Sequence, residues 1–148
     1  MLDISPQSVY NCTMESQSRT TLEEQARVRL SEPGIRSFFR IADAWELSIA
    51  EQRAALGNVS RQTLYNWREH PTAVRLSDDL LDRISYVLGI YKALHIIFAR
   101  PEQADTWIRR PNDALPFAGK PAAEVLFSGR MEDLIRVRRY LDGQRGAW

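Results

Sequence analysis

The stretch LSIAEQRAALGNVSRQTLYNWRE, residues 47–69, reads as two short helices joined by a tight turn. Ser48 and Glu51 have capping-box spacing, in which the serine takes the amide of residue 51 and the glutamate reaches back to that of residue 48. The helix they open runs to Leu56, and Gly57 suits the left-handed reversal that ends a helix. Ser60 caps a second helix that closes at Glu69, because His70 precedes Pro71 and a residue before proline is pushed out of the helical region. Leu64 and Trp67 lie one turn apart and face inward. Arg61, Gln62, Tyr65, Asn66 and Arg68 are left facing outward. Gln and Asn pair bidentately with adenine, Arg pairs with guanine or phosphate, and a helix N-terminus with Ser60 suits a phosphate. This is the layout of a helix-turn-helix that reads the major groove. A helical hairpin in an ordinary bundle, its outer face meeting only water, would give the same pattern.

Working outward, Ile35, Phe38, Phe39, Ala42 and Trp45 recur at helical spacing and supply a helix before the hairpin. Further upstream, residues 1–20 are polar with no apolar period and are expected to be disordered. Thr21 and Glu24 form a second capping box, opening a short helix to Leu30 that Pro33-Gly34 should stop. Downstream, Ser77-Asp78-Asp79 opens the longest helix, with the stripe Leu80, Leu81, Ile84, Val87, Leu88, Tyr91, Leu94 and Phe98. Ile90 and Ile97 fall off that stripe, so this helix is expected to be buried on two sides, between subdomains or between subunits. Gly89 in its middle costs stability unless a neighbouring backbone needs the room. Short helices are expected over 102–108, 121–127 and 130–142. No alternating strand pattern is visible, and the fold class expected is all-α: a helix-turn-helix bundle, a long central helix and a small helical C-terminal domain. The expected divisions are 1–30, largely flexible with a short helix; 31–76, the DNA-reading region; 77–99, a connecting and dimerisation helix; and 100–148, a C-terminal module.

The chain has 148 residues, 44% of them hydrophobic, enough for one compact body or two small units sharing a core. Its net charge of +1 hides a local difference. Over 34–75, six arginines outweigh Asp43, Glu46, Glu51 and Glu69, whereas residues 1–33 are net acidic. The excess in the hairpin region is small, and phosphate neutralisation drives most DNA affinity. A dimer, which doubles the contacts, is therefore expected. Cys12 is the single cysteine, which excludes an internal disulfide or a thiolate metal cluster. The N-terminus shows no secretory signal, and the apolar run Ile84–Phe98, interrupted by Lys92 and His95, is shorter than the roughly 20 residues that span a bilayer. A cytoplasmic setting without membrane contact is expected.

Residue types for catalysis do not converge. His70 and His95 stand apart with no clustered carboxylate or cysteine, so no metal is expected; His95 reads as a core-edge residue with one satisfied nitrogen. Asp78, Asp79, Asp82, Glu132 and Asp133 are helix-start acids. Ser128-Gly129 has no nucleophile-elbow context, and no glycine-rich phosphate loop is present. No cofactor is expected, and the chain is read as a non-enzyme.

The stretch from Trp107 to Gly129 alternates large anchors with backbone-fixing prolines and glycines, the profile of a surface shaped for another protein. Trp107 and Phe117 individually, as large aromatics, are expected to be core residues of a cap on the long helix. Together with the hairpin, this stretch resembles the Xre/MbcA/ParS toxin-binding-domain antitoxins, partners of RES-domain toxins. The matching residues are Leu47-Ser48, Leu56-Gly57 and Val59 through Trp67, then Trp107, Arg110-Pro111-Asn112, Phe117, Gly119, Pro121, Leu126, Gly129 and Val137 through Leu141. The resemblance covers residues 34–148. Asn58 departs from it as an extra residue in the turn, which could tilt the second helix of the hairpin. The resemblance implies a type II antitoxin that blocks a toxin consuming NAD or using it for ADP-ribosylation, and that regulates its own promoter. It implies DNA contacts from Ser60, Arg61, Gln62, Tyr65, Asn66 and Arg68. It implies toxin contacts from Trp107, Arg110, Pro111, Asn112, Phe117, Arg138, Arg139, Tyr140, Leu141, Arg145 and Trp148, the C-terminal end reaching the toxin's active-site cleft. Deleting residues 101–148 should then abolish rescue and leave a folded N-terminal part. A stand-alone dimeric regulator is the alternative.

Overall fold

In a computed structural model, described for residues 6–146, the chain is all-α. The helices are α1 (Pro6–Ala44), α2 (Ile49–Ala55), α3 (Arg61–Glu69), α4 (Asp78–Ile97), α5 (Pro101–Thr106), α6 (Ala122–Leu126) and α7 (Met131–Gly146). Short 3-10 turns at Pro71–Ala73 and Trp107–Arg109 follow α3 and α5. Among the described residues the extended pairing is a single antiparallel bridge, Pro111 with Pro121.

The first helix differs from its expected form. Residues 6–30 are the opening part of α1, and the chain runs helically through Pro33 without the expected stop. Residues 1–5 lie outside the described residues. Thr21 is no cap: its hydroxyl donates to the Gln17 carbonyl at 2.9 Å, one turn back. A proline inside a helix costs about 3 kcal/mol, because it lacks an amide and crowds the carbonyl four residues before. Two features offset this. Pro33 and Arg29 are both exposed, so the carbonyl that Pro33 leaves free meets water. Beyond it, Ile35, Phe38, Phe39, Ile41 and Ala42 are each at most 7% exposed, and burying side chains of this size contributes about 1.5–3 kcal/mol apiece, less for the alanine. Ser31 anchors the crossing, donating to the Arg27 carbonyl at 2.7 Å and accepting the Leu76 amide at 3.0 Å.

The central helix α4 is capped by Ser77, which accepts the Leu80 amide at 3.3 Å. One side of α4 packs on α1 and the other on α7. That accounts for Ile90, off the main apolar stripe yet fully buried. The double burial is thus satisfied inside one chain, between its two halves, and does not call for a second subunit. Gly89 also has a different reason from the expected one. A Cβ there would sit 1.6 Å from Arg138 Nη1, so the room is needed by a guanidinium from α7 rather than by a backbone. Ile84, Val87, Ala93 and Leu94 join Phe117, Leu126, Leu134, Val137 and Leu141 in one continuous core. The N-terminal half therefore has no separate core, and the expectation that it stays folded without residues 101–148 is not supported by the packing.

Candidate nucleic-acid and partner interfaces

The hairpin forms as its caps dictate, with one change. Ser48 accepts the Glu51 amide at 3.1 Å, and Ser60 accepts the Thr63 amide at 3.0 Å while donating to the Thr63 hydroxyl at 2.8 Å. The Glu51 carboxylate does not complete a capping box. It pairs with Arg109, as described below. In the turn, Gly57 and Asn58 hold φ of +77° and +65°, and asparagine tolerates that left-handed region better than most residues. Arg53 Nε locks the result by donating to the Val59 carbonyl at 2.7 Å.

On α3, Leu64 is buried and Trp67 half-buried against the core, which turns Arg61, Gln62, Tyr65 and Asn66 to solvent. Gln62 Nε2 donates to Asn66 Oδ1 at 3.0 Å, so the two amides lie side by side on the exposed face. Arg68 is placed differently. Its guanidinium donates to both Asp43 oxygens at 3.1 and 3.4 Å and lies 4.4 Å above the Phe39 ring. It pins α3 to α1 rather than standing free on the α3 face.

The C-terminal module is organised around three aromatic rings. Phe117 is 1% exposed, and it meets Trp107 and Tyr140 edge-on at 5.7 and 5.1 Å, while Trp107 and Tyr140 stack at 6.4 Å. Phe117 and Leu141 are therefore corrected from contact residues to core residues that shape the module. Trp107 and Tyr140 are half-buried and keep an exposed edge. Asn112 is a loop-former: its Oδ1 accepts the Ala114 amide at 2.9 Å and its carbonyl accepts the Gly119 amide at 2.8 Å. Arg110 donates to the Gln103 carbonyl at 2.9 Å and lies over Phe98. Arg138 donates to both oxygens of Asp142 at 3.1 Å as it crosses Gly89. Pro111, Arg139 and Arg145 are exposed, and Trp148 lies outside the described residues.

Three contacts join the module to the hairpin, and none has a local signal in the sequence. Arg109 donates to Glu51 at 3.0 and 2.6 Å and to the carbonyls of Trp45 and Glu46 at 3.3 and 3.4 Å. Arg83, from α4, donates to the Gly129 carbonyl at 3.0 Å, and a Cβ on Gly57 would meet its Nε at 3.0 Å. Gly129 itself, at φ +89°, lies so near Asn58 that a Cβ would meet Asn58 Nδ2 at 2.7 Å. Asn58 thus buttresses the module as well as lengthening the turn.

The residues weighed for chemistry serve the fold. His95 Nε2 lies 2.8 Å from Asp105 Oδ1, tying α4 to α5. Burial, and then the Asp105 carboxylate, push the neighbouring Tyr91 phenol up from its ordinary range. Asp133 is buried, accepts the Ser128 hydroxyl at 2.6 Å and pairs with Arg136 at 3.2 Å. Among the described residues, no cluster of three or more His, Cys, Asp or Glu could hold a metal ion. No helix there is long and apolar enough to cross a membrane.

Comparison with known proteins gives two matches, which meet inside α4. Residues 18–89 match the antitoxin Xre-like helix-turn-helix domain. Residues 93–146 match the antitoxin Xre/MbcA/ParS C-terminal toxin-binding domain. An uncharacterized protein, y4oB, of Sinorhizobium fredii (strain NBRC 101917 / NGR234) is 46% identical over 112 residues, which is 76% of this chain and 84% of that protein.

Proposed function

This chain belongs to the Xre-like antitoxins, and we propose that it silences a RES-domain toxin, one that consumes NAD or transfers ADP-ribose from it, while repressing its own operon. The observation that carries the DNA half is the outer face of α3. Arg61, Gln62, Tyr65 and Asn66 are exposed on a helix whose inner face is fixed by Leu64. In this reading Ser60 and the α3 N-terminus meet a phosphate, Arg61, Gln62 and Asn66 read base edges, and Tyr65 meets phosphate or a thymine methyl. Arg68 supports the helix through its pair with Asp43.

The toxin half of the proposal uses Arg139, Arg145, Pro111, Trp148 and the open edges of Trp107 and Tyr140. Arg110, Asn112 and Arg138 hold the frame on which these stand. The RES class of the toxin rests on the motif residues from Trp107 to Leu141. The small positive excess around the hairpin favours a homodimer, since two copies of α3 double the phosphate contacts. The reading also includes a cytoplasmic protein with no catalysis of its own.

Co-expression with the protein encoded beside it tests this reading. Growth rescue, a co-purifying complex and retention of promoter DNA are expected. A chain that binds its promoter tightly but neither rescues nor co-purifies would instead be a stand-alone regulator.

A further inference from the structure

We propose that Leu115 is the apolar anchor through which the C-terminal module grips its protein partner; the proposal rests on the toxin-binding reading above. Leu115 is 84% exposed, the highest value among the large hydrophobic side chains described, the other exposed ones running from 39% to 66%. A lone exposed leucine is common on protein surfaces. Its setting is not.

The loop that carries Leu115 is closed at its base by the Pro111–Pro121 bridge. Within it, the Asn112 amide donates to the Lys120 carbonyl at 3.2 Å, and Asn112 accepts from both Ala114 and Gly119. The Ala114 carbonyl in turn accepts the Phe117 amide at 2.8 Å and the Ala118 amide at 3.2 Å. Two residues after Leu115, the Phe117 ring is buried in the aromatic cluster. One further on, Ala118 holds φ of +52°, a conformation that an L residue adopts only at a cost. The backbone is therefore fixed on both sides of Leu115, and every landmark in the stretch is used to fix it. The one large apolar side chain in the loop that the fold leaves uncovered is the one the loop presents.

Such an arrangement favours binding. A leucine on a pre-ordered loop loses little conformational freedom when it docks, so most of the gain from removing it from water appears as affinity. The chemistry that fits is a leucine-sized apolar socket. The partner committed to is the toxin, because Leu115 stands inside the stretch that matches the toxin-binding domain, residues 93–146.

The test titrates the protein encoded beside this chain against the full-length wild type, Leu115→Ala and Leu115→Glu. Thermal midpoint and promoter binding are measured for each. Leu115→Ala should weaken the complex by about 10- to 100-fold, the equivalent of leaving a leucine unburied. Leu115→Glu should abolish it, with midpoint and promoter binding unchanged. A loss under threefold in Leu115→Ala would overturn the anchor while leaving the antitoxin reading intact. A drop in midpoint that tracks the lost affinity would make Leu115 a structural residue and also overturn it. Loss of self-association in Leu115→Glu, with toxin affinity kept, would reassign the loop to a contact between copies of this chain. No binding by the wild type would sink the antitoxin reading and the anchor together.

Discussion

Arg109 forks onto Glu51 across 58 positions of chain, with nitrogen–oxygen distances of 3.0 and 2.6 Å. Glu51 lies in the first turn of α2, the first helix of the hairpin, and Arg109 ends the 3-10 turn that follows α5 within the toxin-binding module. The hairpin and the C-terminal module are thus tied by one ion pair. The side chains are 40% and 26% exposed, so water screens the pair.

Removing either partner should therefore cost little stability, about 0.5–1 kcal/mol for Glu51→Ala. Arg109→Ala should cost more, because it also releases the Trp45 and Glu46 carbonyls. Chemical denaturation of the two single variants and the double variant gives the coupling energy. A coupling of zero would mean the pair is incidental.

On α3, alanine at Arg61, Gln62 or Asn66 should weaken promoter binding by about 1–3 kcal/mol each, the range for a bidentate base contact. Because all three are exposed, thermal midpoints should stay within a degree or two of wild type. The Gln62–Asn66 hydrogen bond makes the double variant less than additive. Mobility-shift titrations at fixed salt measure this, and unchanged occupancy in all three would remove the DNA contacts assigned here.

Arg68→Ala should show the opposite balance. Loss of the Asp43 pair and of the stacking on Phe39 should destabilise by about 0.5–1.5 kcal/mol. Its promoter affinity should fall less than that of Arg61→Ala. A larger affinity loss without any stability loss would return Arg68 to the DNA contacts.

Gly129→Ala meets two obstacles, a φ of +89° and the Asn58 amide 2.7 Å from the new Cβ. A loss of about 1–3 kcal/mol is expected. Adding Asn58→Gly keeps a residue suited to the left-handed turn and removes the obstructing amide, so part of the loss should return. If the second substitution restores nothing, strain at residue 129 alone is responsible.

Deleting residues 101–148 should give a chain that aggregates, since it uncovers the apolar surface of α4 against which α7 packs. Light scattering and near-ultraviolet dichroism of the fragment check this. A soluble fragment with a cooperative transition would show that the halves are separable.

The parts legible in the sequence are those with local causes. Ser48, Ser60 and Ser77 start three helices where their hydroxyls can take an amide three residues on, and the α3 residues facing water follow from the inward pair Leu64 and Trp67. The all-α class followed from such signals. Pro33 misled because its local penalty is offset by burial elsewhere on α1, which no short window contains. Arg138 read as a toxin contact, since nothing near it in sequence announces that Gly89 has been left bare to receive it. Glu51 gave a false lead for the opposite reason: a capping-box acid and an ion-pair acid look the same until Arg109 is brought beside it.

The helix α4 serves as a common wall, one surface turned to each of its occupants. Exchange of a C-terminal half between relatives, to redirect the chain toward another poison, has to bring a matching α4 surface with it or leave the promoter-reading half unsupported. The two halves are in this way tied through the same twenty residues.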